Sequence, residues 1–282
     1  MGTVGVEVAV ADDPRLPAAL ASLEQQRRRP ERVLIVAATN TPEELLAEAT
    51  RSAPSIPIEV VRYPGGVVAA RAAANDRLRE DVTAFLDSDE VAPPDWLDLL
   101  VRPIDAGTAD FTGGPTRPSR PPAHPIERYY ALLERSIYEG LVPSSPAYLP
   151  LQNSAWRTSE LRRLGFDPRI PFAEDHDLES RALAAGLRGE YVPAAWVVHD
   201  KASETSYLRW ARKRYRYLVA MAMSLMKNGS LRGRLKERRV RVRHPLTYVE
   251  AAMKPFALVQ GSLRWRRLER SPTTAQPPSK SG

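Results

Sequence analysis

The chain has 282 residues, 43% of them apolar and 27% charged, which provides a substantial core and too little charge for a chain that must stay disordered. The absence of cysteine excludes disulfides, thiolate metal sites, iron–sulfur clusters and a cysteine nucleophile. The net charge of +7 is unevenly distributed: residues 1–200 contain 21 Lys and Arg against 30 Asp and Glu, whereas residues 201–270 contain 19 against 4. We therefore expect an acidic body and a basic extension with separate roles.

Strands and helices alternate in the first hundred residues. Helical spacing predicts helices after Pro14, at 42–50 and at 67–80, and apolar runs predict buried strands at 4–10, 33–38, 58–62 and 82–86. This alternation with short links is typical of an α/β fold with a doubly wound, mostly parallel, Rossmann-like sheet. Ligands of such sheets bind outside the carboxyl ends of the strands. We therefore expect one rim of the sheet to carry residues 11–13, 37–40, 63–66 and 87–90.

The second half of the chain is less regular. Its patterns predict strands at 109–114, 190–193 and 195–198, and helices at 126–139, at 158–164 with Thr158 as the cap, at 174–185 and at 205–227. An apolar stretch at 246–263 is interrupted by Pro255, and the Pro- and Ser-rich residues 271–282 are predicted to be disordered.

Neither a secretory leader nor a membrane span is expected. The first ten residues lack a basic region and a long apolar region, and the longest apolar run, at 218–226, is about half the length of a membrane span. We expect a cytoplasmic protein, either free or peripheral on the inner face of the membrane.

Three carboxylates directly follow the fourth predicted strand, in the sequence Phe-Leu-Asp-Ser-Asp-Glu at 85–90. Residues two apart on a strand face the same side, so Asp87 and Asp89 could hold one divalent cation, for which carboxylate oxygens are suitable ligands. The alternative is an acidic turn that caps the following helix, and spacing alone leaves both open.

A second acidic cluster, Glu-Asp-His-Asp-Leu-Glu at 174–179, lies at a predicted helix start. The helix dipole stabilises acids there by about 0.3–1 kcal/mol each, which accounts for one or two of them but poorly for so dense a cluster. A carboxylate that faces the rim would instead serve as a general base.

Two single residues are further candidates. His199 ends a predicted strand, where an imidazole beside carboxylates would complete a metal site and favour Mn²⁺ over Mg²⁺. Arg71 follows Gly65 and Gly66 at a predicted helix start, where a guanidinium can contact a diphosphate. The alternatives are a structural histidine at a strand end and a surface arginine.

Taken in order, these segments resemble the family 2 glycosyltransferases, an inverting group with the GT-A fold. The resemblance extends over residues 4–200 and rests on GGVVAARAAAN at 65–75, FLDSDEVAPPDWL at 85–97 and the long segment from LQNSAWR to VVH at 151–199. It implies a GT-A catalytic domain at 1–200, with a nucleotide-sugar-binding half at 1–105 and an acceptor half at 106–200. A basic helical extension at 201–270 and a disordered tail at 271–282 follow.

The resemblance assigns roles to individual residues. Asp175 would be the catalytic base, with Glu174 as its fallback, and a Mn²⁺ or Mg²⁺ ion would be held by Asp87, Asp89 and His199. The nucleotide-sugar donor would contact Ala11, Asp12, Arg71, Asp87 and Ser88. The acceptor would contact Asn153, Trp156 and Asp177.

The sequence departs from the family at the predicted nucleobase site. Ala37 and Ala38 end the second predicted strand, where the family usually has an acid, and the first loop reads AVADDP where a Pro…Asn pattern is common. The family motif Ala-Arg-Asn reads Ala70-Arg71-Ala72. The sequence therefore leaves the nucleobase open.

The resemblance implies a metal-dependent, inverting transfer of a hexosyl or deoxyhexosyl group from a nucleoside-diphosphate sugar to an acceptor hydroxyl. The alternative is a non-catalytic binding or scaffold protein with the same fold. A nucleotidyltransferase is disfavoured because it would need a glycine-rich phosphate loop with a lysine near the first strand, and residues 9–15 provide neither.

The basic extension has two open interpretations. Residues 205–227 combine basic and aromatic side chains with a short apolar run, which is typical of segments at a membrane interface. Residues 205–263 would then contact an anionic membrane surface, and the acceptor would be lipid-linked rather than a small molecule. The alternative is a helix pair packed on the catalytic domain with a solvated basic face. Nucleic-acid binding is not expected, because no recognised module accompanies the charge.

Overall fold

The fold is built around two β-sheets. The computed structural model describes residues 1–138, 149–199, 205–229 and 243–270. Its strands in chain order are β1 (Val4–Val10), β2 (Arg32–Ala38), β3 (Ile58–Tyr63), β4 (Val82–Leu86), β5 (Glu90–Val91), β6 (Phe111–Gly113), β7 (Thr116–Pro118), β8 (Asn153–Arg157), β9 (Gly189–Tyr191) and β10 (Val197–His199).

Helices flank the sheets. In chain order they are α1 (Leu16–Glu24), α2 (Glu43–Arg51), α3 (Val67–Ala74), α4 (Trp96–Asp105), α5 (Pro125–Tyr138), α6 (Thr158–Leu164), α7 (Glu174–Ala184), α8 (Tyr207–Lys227) and α9 (Pro245–Arg270).

The main sheet has seven strands in the order β3-β2-β1-β4-β8-β6-β9. All neighbours are parallel except β8, which runs antiparallel to both β4 and β6. The predicted mostly parallel, doubly wound sheet is therefore confirmed. The order reverses between β1 and β4, which is where ligands bind in open α/β sheets.

Different helices pack on the two faces of the main sheet. Alternate side chains of β1 point to opposite faces, so Val8 and Val10 pack with α1, α2 and α4, whereas Ala9 packs with α3, α6 and α7. Glu7 is two residues before Ala9 and therefore lies on the face of α3. Phe85 of β4, directly opposite Glu7 in the strand register, packs on the same face.

A second, three-stranded sheet forms at the edge of the rim, in the order β5-β10-β7. Strand β10 runs antiparallel to β5, and their register places His199 opposite Glu90. Two segments that are about a hundred residues apart in the chain thus meet beside the acidic turn that follows β4.

The C-terminal helices α8 and α9 pack on each other and on the body. Trp210 and Leu246 share one apolar cluster, Arg214 contacts Glu250 at 2.7 Å, and Gly261 lies against Val219 and Ala222. These contacts advance in the same direction along both helices, so the helices run parallel. No helix in the described ranges is long and apolar enough to cross a membrane.

Several predicted elements differ from the observed ones in extent. The helix predicted at 67–80 ends at Ala74 and is followed by a short 3-10 helix, Asn75–Arg77. Thr158 is the first residue of α6 rather than its cap, because its hydroxyl pairs with that of Thr83 at 2.8 Å. The apolar stretch with Pro255 forms one helix that contains the proline. The tail at 271–282 lies outside the described residues.

The packing of α9 on α8 predicts the effect of enlarging Gly261. A Cβ atom there would lie 2.6 Å from both the Cβ of Ala222 and the carbonyl oxygen of Val219, so a side chain must push the helices apart. We expect Gly261→Leu to lower the free energy of unfolding by about 1–3 kcal/mol in urea denaturation. The control Ala252→Leu is on the exposed side of α9 and should leave stability unchanged. Equal stability of the two variants would contradict this packing.

Candidate active site

A buried arginine connects the elements that surround the rim of the sheet. Arg71 of α3 is only 3% exposed. Its Nε donates to Glu7 Oε1 at 3.0 Å, its Nη1 to Glu174 Oε1 at 2.8 Å and its Nη2 to Asp87 Oδ1 at 3.4 Å. The guanidinium also lies over the ring of Phe85, with its central carbon 5.6 Å from the ring centroid. The alternative of a surface arginine is therefore wrong.

In this cluster, burial and the neighbouring charges shift the pKa of each group in opposite directions. Burial alone would lower the pKa of Arg71, but the charges of Glu7, Glu174 and Asp87 raise it. Burial raises the pKa of Glu7 to about 7 even though the charge and hydrogen bond of Arg71 oppose this shift. Burial raises the pKa of Asp87 and of Glu174 in the same way. The cluster thus combines one permanent cation with carboxyl groups that gain protons more readily than usual.

The sequence Asp-Ser-Asp-Glu at 87–90 forms a turn after β4. The amide of Glu90 donates to the carbonyl of Asp87 at 3.1 Å, and the amide of Asp87 donates to Glu90 Oε2 at 3.1 Å. The turn replaces the extended geometry expected from residues two apart on a strand. As a result Asp87 contacts Arg71, whereas Asp89 contacts His199 and lies 3.5 Å from Arg15.

His199 is placed against this turn by its strand register. Its Nε2 lies 3.0 Å from Asp89 Oδ2, and its Nδ1 lies 3.5 Å from Glu90 Oε1. Burial alone would lower the pKa of His199, but the hydrogen bond to Asp89 and the charges of Glu90, Asp89 and Asp87 raise it to about 9. Despite its own burial, Asp89 has a lowered pKa because of His199 and Arg15.

The acidic cluster at 174–179 begins α7. Ala173, directly before the helix, has a left-handed backbone with φ of 58° and ψ of 33°, the single positive φ of a non-glycine residue in the described ranges. Such a conformation is unfavourable for alanine and persists where the surroundings hold it. Ala173 is buried against α8, and the turn brings Glu174 to Arg71. Asp175 is half-buried, and its Oδ1 accepts the amide of His176 at 2.8 Å.

Three residues that were expected to contact an acceptor are buried and make other contacts instead. Asp177 is 1% exposed and accepts from Arg181, Lys227 and Asn228. The buried Asn153 accepts the indole N–H of Trp96 at 2.7 Å and donates to the carbonyl of Ala195. Trp156 is stacked on Phe111 in the core at 4.3 Å between ring centroids. The structure does not bring these three side chains to the carboxylates around Arg71.

The remaining predicted donor contacts lie on the rim. Ala11 and Asp12 are exposed in the loop after β1, and Ser88 is buried in the turn between Asp87 and Asp89. All three follow the carboxyl ends of neighbouring strands β1 and β4, as the alternation pattern predicts.

Three polar residues of the site escaped the sequence analysis. Glu7 lies inside an apolar strand, Arg15 pairs with Asp13 at 2.6 Å, and Gln152 lies 3.5 Å from His199. Glu90, predicted only as part of the acidic turn, has no exposed surface. Of these residues, only Glu7 could have been recognised from the sequence. It is an acid in an otherwise apolar buried strand, and a buried acid needs a partner.

The donor atoms of this turn suit a hard divalent cation. Asp87, Asp89 and His199 supply carboxylate oxygens and one imidazole nitrogen, a set compatible with Mn²⁺ or Mg²⁺. Buried Glu90 Oε1 also has no hydrogen-bond partner. Within the described ranges no three histidine or acidic side chains already form a metal-binding group, and His199 and Asp89 are hydrogen-bonded to each other.

Comparison with known families identifies the chain. The model described as "Glycosyl transferase family 2" matches residues 9–154, and that described as "Glycosyl transferase family group 2" matches residues 82–268. The first match contains the loop after β1, Arg71 and the turn after β4, and the second contains that turn, α7 and His199. Each match covers more than half of the chain, which therefore belongs to glycosyl transferase family 2, as its resemblance predicted.

Curated relatives cover only part of the chain. Pre-mycofactocin glycosyltransferase of Mycobacterium tuberculosis, in the strains CDC 1551 / Oshkosh and ATCC 25618 / H37Rv, is 33% identical over 151 residues. The alignment covers 51% of this chain and 32% of the relative. The chain thus matches about a third of the length of these relatives.

Solved structures share the fold over nearly the whole chain. The mannosyltransferase PcManGT from Pyrobaculum calidifontis, in complex with GDP-Man and Mn²⁺, has a TM-score of 0.61 and 18% identity, covering 96% of this chain and 76% of that one. S. aureus TarS 1-349 in complex with UDP-GlcNAc has a TM-score of 0.54 and 16% identity, covering 94% and 92%. These neighbours have the GT-A fold, so the predicted fold class is confirmed.

The raised pKa of Glu7 predicts a pH-dependent stability. Glu7 binds its proton more tightly in the folded than in the unfolded protein, so protonated Glu7 adds to the free energy of unfolding. This stabilisation is fully present below pH 4.5 and is lost as the pH rises through about 7. We expect the free energy of unfolding of the wild type minus that of Glu7→Gln to decrease from pH 4.5 to 7, measured by urea denaturation. A difference that stays constant over this range would show that Glu7 does not titrate as described.

Proposed function

We propose that the chain transfers a hexosyl or deoxyhexosyl group from a nucleoside-diphosphate sugar to an acceptor hydroxyl, with inversion and with help from a divalent cation. The observation that carries the proposal is the meeting of Arg71, Asp87 and Glu174 at the carboxyl edge of the sheet, next to the pair Asp89 and His199. These groups are brought together from four regions of the chain: α3, the turn after β4, the start of α7 and β10. Family membership and this convergence support the same reaction class.

The donor is assigned to the rim after β1 and β4. The loop with Ala11 and Asp12, the glycines before α3 and the turn with Ser88 all lie at the strand ends where nucleotides bind in α/β sheets. PcManGT was solved with GDP-Man and TarS with UDP-GlcNAc, which favours a nucleoside-diphosphate sugar as the donor class.

Asp175 is assigned as the general base. Its neighbour Glu174 is engaged by Arg71 at 2.8 Å, whereas Asp175 follows at the first turn of α7 with its carboxylate oriented by the amide of His176. In the proposed step the acceptor oxygen forms a bond to C1 of the sugar while the bond from C1 to the diphosphate oxygen breaks. The hydroxyl proton passes to Asp175, and the nucleoside diphosphate leaves. A single displacement inverts the configuration at C1.

Asp87, Asp89 and His199 are assigned to the cation. A divalent ion held there would neutralise the negative charge that develops on the leaving diphosphate. Arg71 contacts Asp87 and therefore fixes the position of this carboxylate relative to α3.

The acceptor hydroxyl is either lipid-linked or on a small molecule. The curated relative is named for a transfer to pre-mycofactocin, and the alignment includes only about a third of that protein. A non-catalytic binding protein remains the competing function, and the absent acid at the end of β2, where Ala37 and Ala38 stand, motivates it.

Removing the proposed base tests the reaction. We expect Asp175→Asn to reduce sugar transfer by roughly 10²–10⁴-fold, because the amide cannot accept the hydroxyl proton. The assay uses a panel of nucleotide sugars with Mn²⁺, scored by release of nucleoside diphosphate with and without acceptor. Asp76→Asn, an exposed acid outside the site, is the matched control. Wild-type activity in Asp175→Asn would exclude it as the base, and a wild type inactive with every donor would favour the non-catalytic alternative.

Removing a proposed ligand tests the cation site directly. We expect Asp89→Ala to weaken Mn²⁺ binding by more than about tenfold, measured by electron paramagnetic resonance titration of free Mn²⁺. Glu43→Ala removes a carboxylate whose side chain is 80% exposed on α2 and should bind Mn²⁺ as the wild type does. Equal Mn²⁺ affinity in Asp89→Ala and wild type would contradict the assignment of Asp89.

A further inference from the structure

Exposed apolar side chains are concentrated on the C-terminal helices. Apart from Met1, every large apolar side chain in the described ranges that is at least half exposed lies on α8 or α9: Tyr207, Leu208, Tyr248, Phe256, Val259 and Leu263. Scattered single apolar residues are ordinary on protein surfaces, but a contiguous group marks an interaction site.

Four of these residues form one stripe along α9. Tyr248, Phe256, Val259 and Leu263 are 74%, 70%, 61% and 50% exposed. At about 100° per residue they fall within about 80° of one another around the helix. We call this set the α9 apolar stripe. The opposite side of α9 is the one that packs on the body, through Ala257, Gly261 and Trp265.

Arginines continue the stripe at its C-terminal end. Arg266, Arg267 and Arg270 are exposed and fall on the same side of the helix. Across residues 205–229 and 243–270 there are 12 Lys and Arg against two Glu, and one of these, Glu250, is already buried against Arg214. The apolar surface is therefore bordered by positive charge with little to offset it.

We propose that the α9 apolar stripe and its arginines bind the surface of an anionic lipid membrane. Apolar side chains on the exposed side of a helix can enter the boundary between headgroups and acyl chains, while basic side chains contact lipid phosphates. A second copy of this chain is less suitable as the occupant, because two surfaces of the same positive charge repel each other. Binding at this surface goes beyond the proposed sugar transfer and does not depend on it.

Vesicle flotation tests this surface without donor, acceptor or metal. The full chain is mixed at low salt with vesicles of phosphatidylcholine alone or of phosphatidylcholine with phosphatidylglycerol. We expect flotation with the anionic vesicles and little with the neutral ones. Each Arg near an anionic surface contributes about a fivefold change in partitioning, so Arg266→Gln combined with Arg270→Gln should weaken binding by about 25-fold.

The apolar contribution is tested by Phe256→Glu combined with Val259→Glu. Both side chains are mostly exposed, so the thermal midpoint should not change, whereas binding to anionic vesicles should fall by at least about tenfold. Leu132→Glu on α5, a 39% exposed apolar residue outside the stripe, is the matched control and should float as the wild type does.

Three results would overturn the proposal. One is a wild type that does not float with anionic vesicles at low salt. Another is flotation of the double glutamate variant at the wild-type level. The third is a lipid-free dimer that the double glutamate variant loses, since this would assign the stripe to a second copy of the chain. None of these results depends on catalytic activity, so they leave the proposed function to its own tests.

Discussion

The interaction on which the site depends is the burial of one guanidinium among three carboxylates. Arg71 keeps its charge when buried, so the fold must surround it with acceptors. Its partners Glu7, Asp87 and Glu174 come from β1, the turn after β4 and the start of α7. Each ion pair therefore fixes one element relative to the others. The central sheet, the acidic turn and the acidic helix are held in one arrangement by a side chain that need not itself touch a substrate.

The sequence predicts the central strands well because buried parallel strands are nearly continuous apolar runs. It also predicts the rim, because each apolar run ends where polar residues such as Asp87 begin. It does not predict β8, whose sequence Asn-Ser-Ala-Trp-Arg lacks an apolar run and whose direction is set by its neighbours in the sheet. Nor does it predict the contact of Glu7 with Arg71, because the two residues are 64 positions apart.

Motifs specify residue types but not the direction in which each side chain points. Asp175 and Asp177 are two positions apart on a helix, so their side chains are about 200° apart around its axis. One accepts the amide of His176 at the start of the helix, and the other is buried against Lys227. Asn153 is also directed away from the site. Its side-chain oxygen accepts the indole N–H of Trp96, and its side-chain nitrogen donates to two backbone carbonyls.

The ion pairs of Lys227 limit where this chain can be joined to another protein to make a hybrid. Lys227, the last residue of α8, contacts Asp167 and Asp177, so the end of the basic extension completes the charge balance of the region around α7. A hybrid enzyme joined at residue 200 would keep Asp167 paired with Arg169 and Asp177 paired with Arg181, but it would lose the lysine that the two acids share. Swaps of the extension should therefore keep α8 with the body and place the junction after residue 229.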